Sequence, residues 1–366
     1  MNRRNLLTAS VALPALYLSR KLSQKTDAQL SDRVADVVQS EAIRQGVCGV
    51  AVSVTRDATV LMEAGFGHSD LQRSAHVNPD TRFNIASLSK PFTAAAVMKL
   101  VESGRVRLDT AVSSYLPWIP PRYEPITVRQ LLTHTSGVNR DLRNENLDDF
   151  NEAEFRRRLA DRPASFAPGA KWQYSNTGYG LLTFLIEAVS KRPFGEYLQS
   201  EILAPAGVTA AYRLPAPHEP DRAVGYSAAP DGPQPSPYYT GGFGGGALVM
   251  SVRALTRWCQ ALAAHRVLTA PSLRQAWQPA RLANGRPVEF DFAGEPASSY
   301  GFGWFLTHFS GHRLLTHGGA IEGFSSNLYF FPDAPLIVGI LSNTKGRLDG
   351  KPHVEILAQR LASLLL

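Results

Sequence analysis

The sequence predicts an α/β (α+β) fold in which both ends of the chain build one sheet and the middle forms a helical lobe. β-Prone runs lie near both ends of the 366-residue chain, between Val47 and Phe66 and between Arg313 and Leu341. The stretch from about 105 to 240 holds helical patterns broken by Pro- and Gly-rich loops. Because 44% of the residues are hydrophobic, the chain can bury a large core, in one large or two modest domains.

The first predicted elements are a helix and a β-hairpin. Apolar residues recur at helical spacing from Leu30 to Ile43 and predict an amphipathic helix that ends before Gly46. Val47–Thr55 and Thr59–Phe66 are typical of two strands, joined by a turn at residues 56–58. This hairpin supplies the N-terminal part of the predicted sheet.

The remaining elements follow the same logic. An alanine-rich helical pattern extends from Ser87 to Val101 and is closed by Gly104. Near the end of the chain, three β-prone runs precede an amphipathic helix: Arg313–Thr316, Ser326–Phe331, Leu336–Leu341 and then Val354–Leu366. The run Pro215–Pro237 is predicted to be an irregular excursion over the surface, with a wall of the cleft as an alternative role.

These patterns predict one folded domain over residues 28–366. Its α/β part comprises 28–86 and 245–366, and its helical lobe comprises 87–244. Residues 1–27 are predicted to lie outside the fold. Arg3-Arg4, a short apolar stretch and further basic residues resemble a twin-arginine export signal.

The N-terminal segment predicts a periplasmic or otherwise exported protein. The apolar stretch is short for a transmembrane helix, and no small-x-small cleavage site follows it. A retained membrane anchor is therefore one hypothesis, and membrane association is predicted through this segment only. A disordered tail on a cytoplasmic protein is the alternative.

Composition argues against several functions. The net charge is +7, but the basic residues are scattered and the one tight run, Arg156–Arg158, shares its stretch with acidic residues. We interpret that run as a solvated helix face and predict no nucleic-acid partner. Cys48 and Cys259 form no Cys-x-x-Cys pair, and the nine histidines show no metal-ligand spacing. No metal or organic cofactor is predicted.

The strongest chemical signal is Ser87-Leu88-Ser89-Lys90. Residues i and i+3 share a helix face, so the Lys90 amine can lie over the Ser87 hydroxyl. A serine needs an adjacent base, and lysine can be one only if its pKa falls far below about 10.4. The apolar surroundings of Lys90 favour that role. The same spacing recurs from Ser342 to Lys345, where no predicted helix aligns the pair.

Two weaker signals accompany it. Tyr174 and Asn176 lie in a turn-like run, where a phenol can relay protons and an amide can bind a substrate carbonyl. Taken alone, they are more typical of a turn before a helix. His317-Gly318-Gly319-Ala320 follows a β-prone run, and its glycines allow close backbone approach. A histidine beside such a turn is also common on protein surfaces.

Together, in this order, the three elements resemble the β-lactamase-related serine hydrolases. That superfamily contains class C β-lactamases, D-Ala-D-Ala carboxypeptidases with related penicillin-binding proteins, and β-lactamase-like esterases. Four further stretches are similar to it: Arg82–Thr93, Ile126–Gly137, Gly244–Leu248 and Tyr300–Trp304. The likeness extends from about residue 30 to the C-terminus.

The resemblance implies an antiparallel sheet flanked by helices, an all-helical lobe, and an active site between them. It implies that Ser87 attacks the carbonyl, that Lys90 takes its proton and that Tyr174 assists transfer to the leaving group. Asn176 would bind a substrate amide or carbonyl. His317, Gly319 and Ala320 would line the facing strand, with the N–H groups of Ser87 and Ala320 as the oxyanion hole.

One departure affects the expected substrate. β-Lactamases usually carry lysine at the position of His317, and carboxypeptidase-like members with histidine there usually have threonine at the position of Gly318. The strand therefore offers less charge and no hydroxyl for a substrate carboxylate. We expect a hydrolase of small-molecule or peptide esters or amides, an esterase or a D-Ala-D-Ala carboxypeptidase-like enzyme. The alternatives are a β-lactamase and a penicillin-binding-like module with slow or no turnover.

Overall fold

The computed structural model describes residues 32–40, 46–57, 59–142, 150–212, 221–229, 231–237, 242–292, 295–348 and 351–366. The predicted export segment, residues 1–27, lies outside this part of the chain, as do Leu30, Ile43 and residues 215–220. No helix of the described ranges combines the length and the apolar character needed to cross a bilayer.

A nine-stranded antiparallel sheet forms the centre of the molecule. From edge to edge its strands are β3 (Ala75–His76), β2 (Thr59–Asp70), β1 (Gly49–Arg56), β14 (Leu336–Ser342), β13 (Phe324–Phe331), β12 (His312–Ile321), β11 (Phe305–Phe309), β10 (Glu295–Tyr300) and β9 (Phe290–Phe292). The two ends of the chain meet where β1 pairs with β14, from Val50 opposite Ser342 to Arg56 opposite Leu336. The predicted sheet built from both ends is therefore confirmed.

Four strands of this sheet escaped the sequence prediction: the two-residue β3 and the neighbouring strands β9, β10 and β11. β9, β10 and β11 are short, and Gly301 and Gly303 interrupt the apolar pattern between them, so no run of alternating residues marks them. β12 also extends five residues beyond the predicted Thr316, to Ile321. The glycines at 318 and 319 lower strand propensity, but pairing with β13 keeps this segment extended.

Helices cover both faces of the sheet. They are α1 (32–40), α2 (Lys90–Glu102), α3 (Val128–Leu132), α4 (Glu152–Asp161), α5 (Asn176–Ser190), α6 (Phe194–Leu198), α7 (Val252–Ala263), α8 (Ala270–Ala276) and α9 (His353–Leu365). Val50, Val52 and Val54 of β1 pack in one core cluster with residues of α1 and α9. The intervening Ala51 belongs to the other cluster, with α2, α5 and α7. Side chains therefore alternate between two apolar layers, because successive residues of a strand point to opposite faces.

Smaller sheets join the helical lobe to this frame. β4 (Arg82–Asn84) and β5 (Ala211–Tyr212) both pair with β8 (Leu248–Ser251). The remaining short pairs are β6 (Tyr226–Ser227) with β7 (Gln234–Pro235), and β15 (Arg347–Leu348) with β16 (Lys351–Pro352). Pairing of β4 with β8 brings the residues after Asn84 beside the Gly244-Gly245-Gly246 run, which positions the candidate site.

The arginine run and the cysteines have structural roles. In α4, Arg157 and Arg158 both pair with Glu154, and Arg157 also reaches Asp161, as expected of a solvated helix face. Cys48 and Cys259 are free and buried, and burial raises the pKa of both thiols.

Candidate active site

Ser87 lies in a tight turn between β4 and α2. Residues Ala86–Ser89 form a 3-10 turn, so the α-helix begins at Lys90 and not at Ser87 as the sequence predicted. Asn84 explains the start of the turn: its Oδ1 accepts the Ala86 N–H at 2.8 Å, and Ala86 adopts a left-handed φ of 48°. Because a 3-10 turn has three residues, positions i and i+3 eclipse each other and Lys90 lies over Ser87.

The Lys90 side chain is completely buried. Its Nζ donates to Ser87 Oγ at 3.2 Å, to Asn176 Oδ1 at 2.8 Å and to the Gly245 carbonyl at 2.7 Å. These three acceptors match the three donors of an ammonium group. In the neutral amine, the lone pair on Nζ could instead accept the Ser87 hydroxyl proton. The half-exposed Ser87 thus has a proton acceptor within hydrogen-bond reach.

Tyr174 lies on the other side of Lys90, whose Nζ is 4.6 Å from the centre of the phenol ring. Backbone N–H groups of the loop before α5 donate hydrogen bonds to residues 134–140. Gln173 donates to the His134 carbonyl at 2.9 Å, and Asn176 donates to the Arg140 carbonyl at 2.8 Å. Ser175 caps α5 by accepting the Gly178 N–H. Tyr174 is therefore fixed from both neighbours.

The side chain of His134 also contacts this loop. Its Nδ1 accepts the Ser175 N–H at 3.1 Å, and its ring lies 4.4 Å from that of Tyr174. Burial, followed by the charges of Lys90 and His317, holds the pKa of His134 well below its usual range. His134 has a left-handed φ of 60°. From the sequence, His134 was identified only as part of the Ile126–Gly137 stretch, and no role was predicted for it.

Asp141 is a second residue that the sequence prediction missed. Its Oδ2 accepts the Asn176 amide N–H at 2.8 Å, which turns the Asn176 Oδ1 toward Lys90. If the Asn176 amide were flipped, its oxygen would face the Asp141 carboxylate, and neither group could donate a hydrogen bond. Asp141 therefore fixes the orientation of the amide. No sequence pattern marks Asp141, so only the fold brings it to Asn176.

His317 is buried beside the site and its pKa falls to about 3, mainly through burial and then through the charge of Lys90. Its Nδ1 lies 2.6 Å from the Gly318 carbonyl, which can only accept, so Nδ1 carries the proton. Nε2 then accepts from the Tyr300 hydroxyl, 3.3 Å away. His317 therefore presents no positive charge to a substrate at neutral pH.

Gly319 and Ala320 lie on β12 next to the Ser87 turn. A Cβ atom at Gly319 would approach the Ile85 carbonyl oxygen to 2.2 Å and the Ser87 nitrogen to 3.0 Å, so only glycine fits. On one side of β12, the pairing with β11 covers His312–Thr316 and does not reach Ala320. On the other side, Ala320 pairs with Ser325 of β13. The structure thus groups the six other predicted site residues with Ser87: Lys90, Tyr174, Asn176, His317, Gly319 and Ala320.

Other candidates lie elsewhere. The second Ser-x-x-Lys run has no helix, and its Lys345 forms an ion pair with Glu322 at 3.2 Å. Within the described ranges, no three His, Cys, Asp or Glu side chains are grouped so that they could hold a metal ion.

The Ser175 contact predicts a difference between two His134 variants. Asn tolerates a left-handed φ and offers an oxygen near the position of Nδ1, whereas Gly tolerates that φ without an acceptor. We expect His134→Gly to slow labelling of Ser87 by a fluorophosphonate about tenfold or more, and His134→Asn to slow it less, because misplaced catalytic groups cost rate steeply. Equal losses in both variants would refute the positioning role.

The buried histidines also predict a pH dependence of stability. The pKa of His317 is lower in the folded protein than the usual 6.5, so the unfolded chain binds more protons between those values. The free energy of unfolding should therefore fall as pH drops from about 6.5 toward 3. Urea titrations at several pH values should show a shallower decline for His317→Gln, with His308→Gln, at an exposed position of β11, as control. Parallel declines in all three proteins would contradict this account.

Comparison with known proteins agrees with the geometry. The Beta-lactamase family model matches residues 18–362. The chain is 30% identical to "Penicillin-binding protein 4*" of Bacillus subtilis over 322 residues, which cover 78% of this chain and 65% of that protein. It thus spans just under two thirds of that relative's length.

Solved structures give the same result. The octameric penicillin-binding protein homologue from Pyrococcus abyssi has a TM-score of 0.78 at 27% identity, covering 91% of this chain and 77% of the other. A D-amino acid amidase from Ochrobactrum anthropi SV3 shares the fold, with a TM-score of 0.80 at 23% identity over 92% of this chain and 99% of the other. This chain belongs to the β-lactamase family, within the superfamily of β-lactamase-related serine hydrolases.

Proposed function

We propose that this protein hydrolyses an ester or amide through an acyl-enzyme on Ser87. The observation that carries the proposal is the contact of 3.2 Å between Ser87 Oγ and the buried Nζ of Lys90. A serine hydroxyl beside a base held in place by further hydrogen bonds is the arrangement that activates a nucleophile. Membership of a family of serine hydrolases supports the same reaction class.

In the proposed acylation, Ser87 Oγ attacks the substrate carbonyl carbon and Lys90 Nζ takes the hydroxyl proton. The tetrahedral oxyanion is stabilised by the N–H groups of Ser87 and Ala320, for which the close approach of β12 to the Ser87 turn is the support. Collapse breaks the bond to the leaving group, which receives the proton with the help of Tyr174. Asn176 orients the substrate carbonyl or amide.

In the proposed deacylation, a water molecule replaces the leaving group. Lys90 and Tyr174 take a proton from this water as it attacks the acyl carbon. The bond from that carbon to Ser87 Oγ then breaks, and the proton returns to Ser87. Ester plus water thus gives acid plus alcohol, and an amide gives acid plus amine.

The neutral His317 favours an ester or amide without a carboxylate at that position. A β-lactam or a D-Ala-D-Ala peptide carries a carboxylate, and a buried neutral imidazole with both ring nitrogens engaged cannot pair with it. A second candidate function is a penicillin-recognising module with slow turnover. Its support is the name of the Bacillus relative, a penicillin-binding protein. Export through residues 1–27 is also part of the proposal, with Arg3-Arg4 as its support.

Intact-protein mass spectrometry tests the proposal. We expect incubation with p-nitrophenyl acetate to add one acetyl group to the wild type and none to Ser87→Ala, with p-nitrophenol release that also depends on Ser87. A fluorescent penicillin, used separately, should label Ser87 more slowly than the ester does. Faster penicillin labelling without ester turnover would favour the second candidate, and labelling independent of Ser87 would refute the mechanism.

A further inference from the structure

Five half-exposed aromatic residues extend from Tyr174 along the edge of the sheet: Trp172, Tyr174, Phe290, Phe292 and Phe305. We call these residues the aromatic wall. Phe305 is nearly parallel to Tyr174, at 7° with ring centres 6.4 Å apart, and it stacks on Phe292 at 4.2 Å. Phe290 stacks on Trp172 at 4.4 Å and meets Phe305 edge-on at 6.0 Å. The wall is therefore a continuous aromatic surface that begins at Tyr174, beside Lys90.

The chemistry of acylation places the leaving group at this wall. The leaving atom must receive a proton, and Tyr174 is the group assigned to that transfer beside Lys90. The part of the substrate beyond that atom then faces the neighbours of Tyr174. Phe305 is the centre of this region, since it also lies 5.2 Å from the His317 ring.

Around Phe305 and His317, the residues that the structure describes offer aromatic faces and no free partner for a carboxylate. Both nitrogens of the His317 ring are engaged, by the Gly318 carbonyl and by the Tyr300 hydroxyl. Lys90 Nζ already has three hydrogen-bond partners. A carboxylate placed here would lose its hydration without gaining a partner. Arg286 and Glu289, which carry charges of opposite sign, line a cavity together with Trp172 and Phe290 of the wall.

We propose that Phe305 and the aromatic wall form a leaving-group site for an uncharged aromatic alcohol, so that the preferred substrates are aryl or arylalkyl esters. This inference rests on the proposed acyl-enzyme function and names its substrate class. An aromatic ring in contact with the wall contributes more than its buried area alone, so benzyl and phenyl leaving groups are favoured over short alkyl ones. A free D-amino acid is a poor leaving group for this site.

Three acetate esters that share one acyl group test the proposal: benzyl, 4-carboxybenzyl and ethyl acetate. We expect kcat/KM of the wild type to be at least about tenfold higher for benzyl acetate than for the carboxylated ester, because the carboxylate would be desolvated without a partner. Phe305→Ala should lower kcat/KM about fivefold to tenfold for benzyl acetate and less than about twofold for ethyl acetate. Phe305→Arg should shift the preference toward 4-carboxybenzyl acetate.

Phe309→Ala is the matched control. Phe309 lies on the same strand with similar exposure, but it packs against Tyr329 and Phe331, away from Tyr174. It should leave the ratio of the three kcat/KM values unchanged, and Phe305→Leu should show whether the aromatic ring or only its volume matters. Equal kcat/KM values for the benzyl and carboxybenzyl esters, or equal losses for all esters in Phe305→Ala, would overturn the proposal.

A binding measurement separates this inference from the proposed function. Saturation-transfer NMR on Ser87→Ala should show benzyl alcohol bound and 4-(hydroxymethyl)benzoate not bound, with the benzyl alcohol signal reduced by Phe305→Ala. If no ester is turned over in a Ser87-dependent way but this binding preference holds, the proposed function fails and the site remains. If turnover holds and the two alcohols bind alike, the site fails.

Discussion

The geometry of the site depends on one buried amine and the three oxygen atoms around it. Burying an ammonium group costs several kcal/mol unless its hydrogen bonds are replaced. Here the acceptors come from the Ser87 turn, from the first residue of α5 and from the glycine run before β8. Each acceptor belongs to a different part of the chain, so Lys90 can be satisfied only when those parts are assembled. The hydrogen bonds that hold Lys90 therefore also position Ser87 and Asn176.

The fold supplies this assembly through rigid neighbours. Pairing of β4 with β8 fixes the turn relative to the glycine run. Phe92, two residues after Lys90, stacks on the buried Trp258 of α7 with ring centres 3.8 Å apart. Because α7 packs against β1 and β14, α2 is anchored to the sheet formed by both chain ends. The site is therefore held by the pairing of β4 with β8 and by the packing of α2 on α7, and not by the local turn alone.

The sequence could predict the parts of the site that are local. Ser87 and Lys90 are separated by one turn, and their spacing survives even though the turn is 3-10 and not α-helical. The strands of the hairpin and β13–β14 are marked by apolar runs. Tyr174, Asn176 and His317 became convincing only through their joint resemblance to a family, because each is common in turns or at strand ends.

The residues that escaped prediction act through tertiary contacts. His134 and Asp141 reach the Tyr174 loop from about 35 to 41 residues away in sequence, and no periodicity marks them. The sequence predicted only that His317 offers less charge than a lysine would. Its low pKa could not be predicted, because it arises from burial beside Lys90. The aromatic wall combines residues from the helical lobe with β9 and β11, strands that the pattern of the sequence does not show.

The most direct test of this account is the rate at which Ser87 is acetylated by p-nitrophenyl acetate in Lys90→Ala, with and without added methylamine. A positioned general base contributes about 10²- to 10⁴-fold, so the variant should be slower than the wild type by at least about a hundredfold. Added methylamine should restore part of the rate by occupying the space of the missing amine. Acetylation of Ser87 at the wild-type rate in Lys90→Ala would contradict the central role of Lys90.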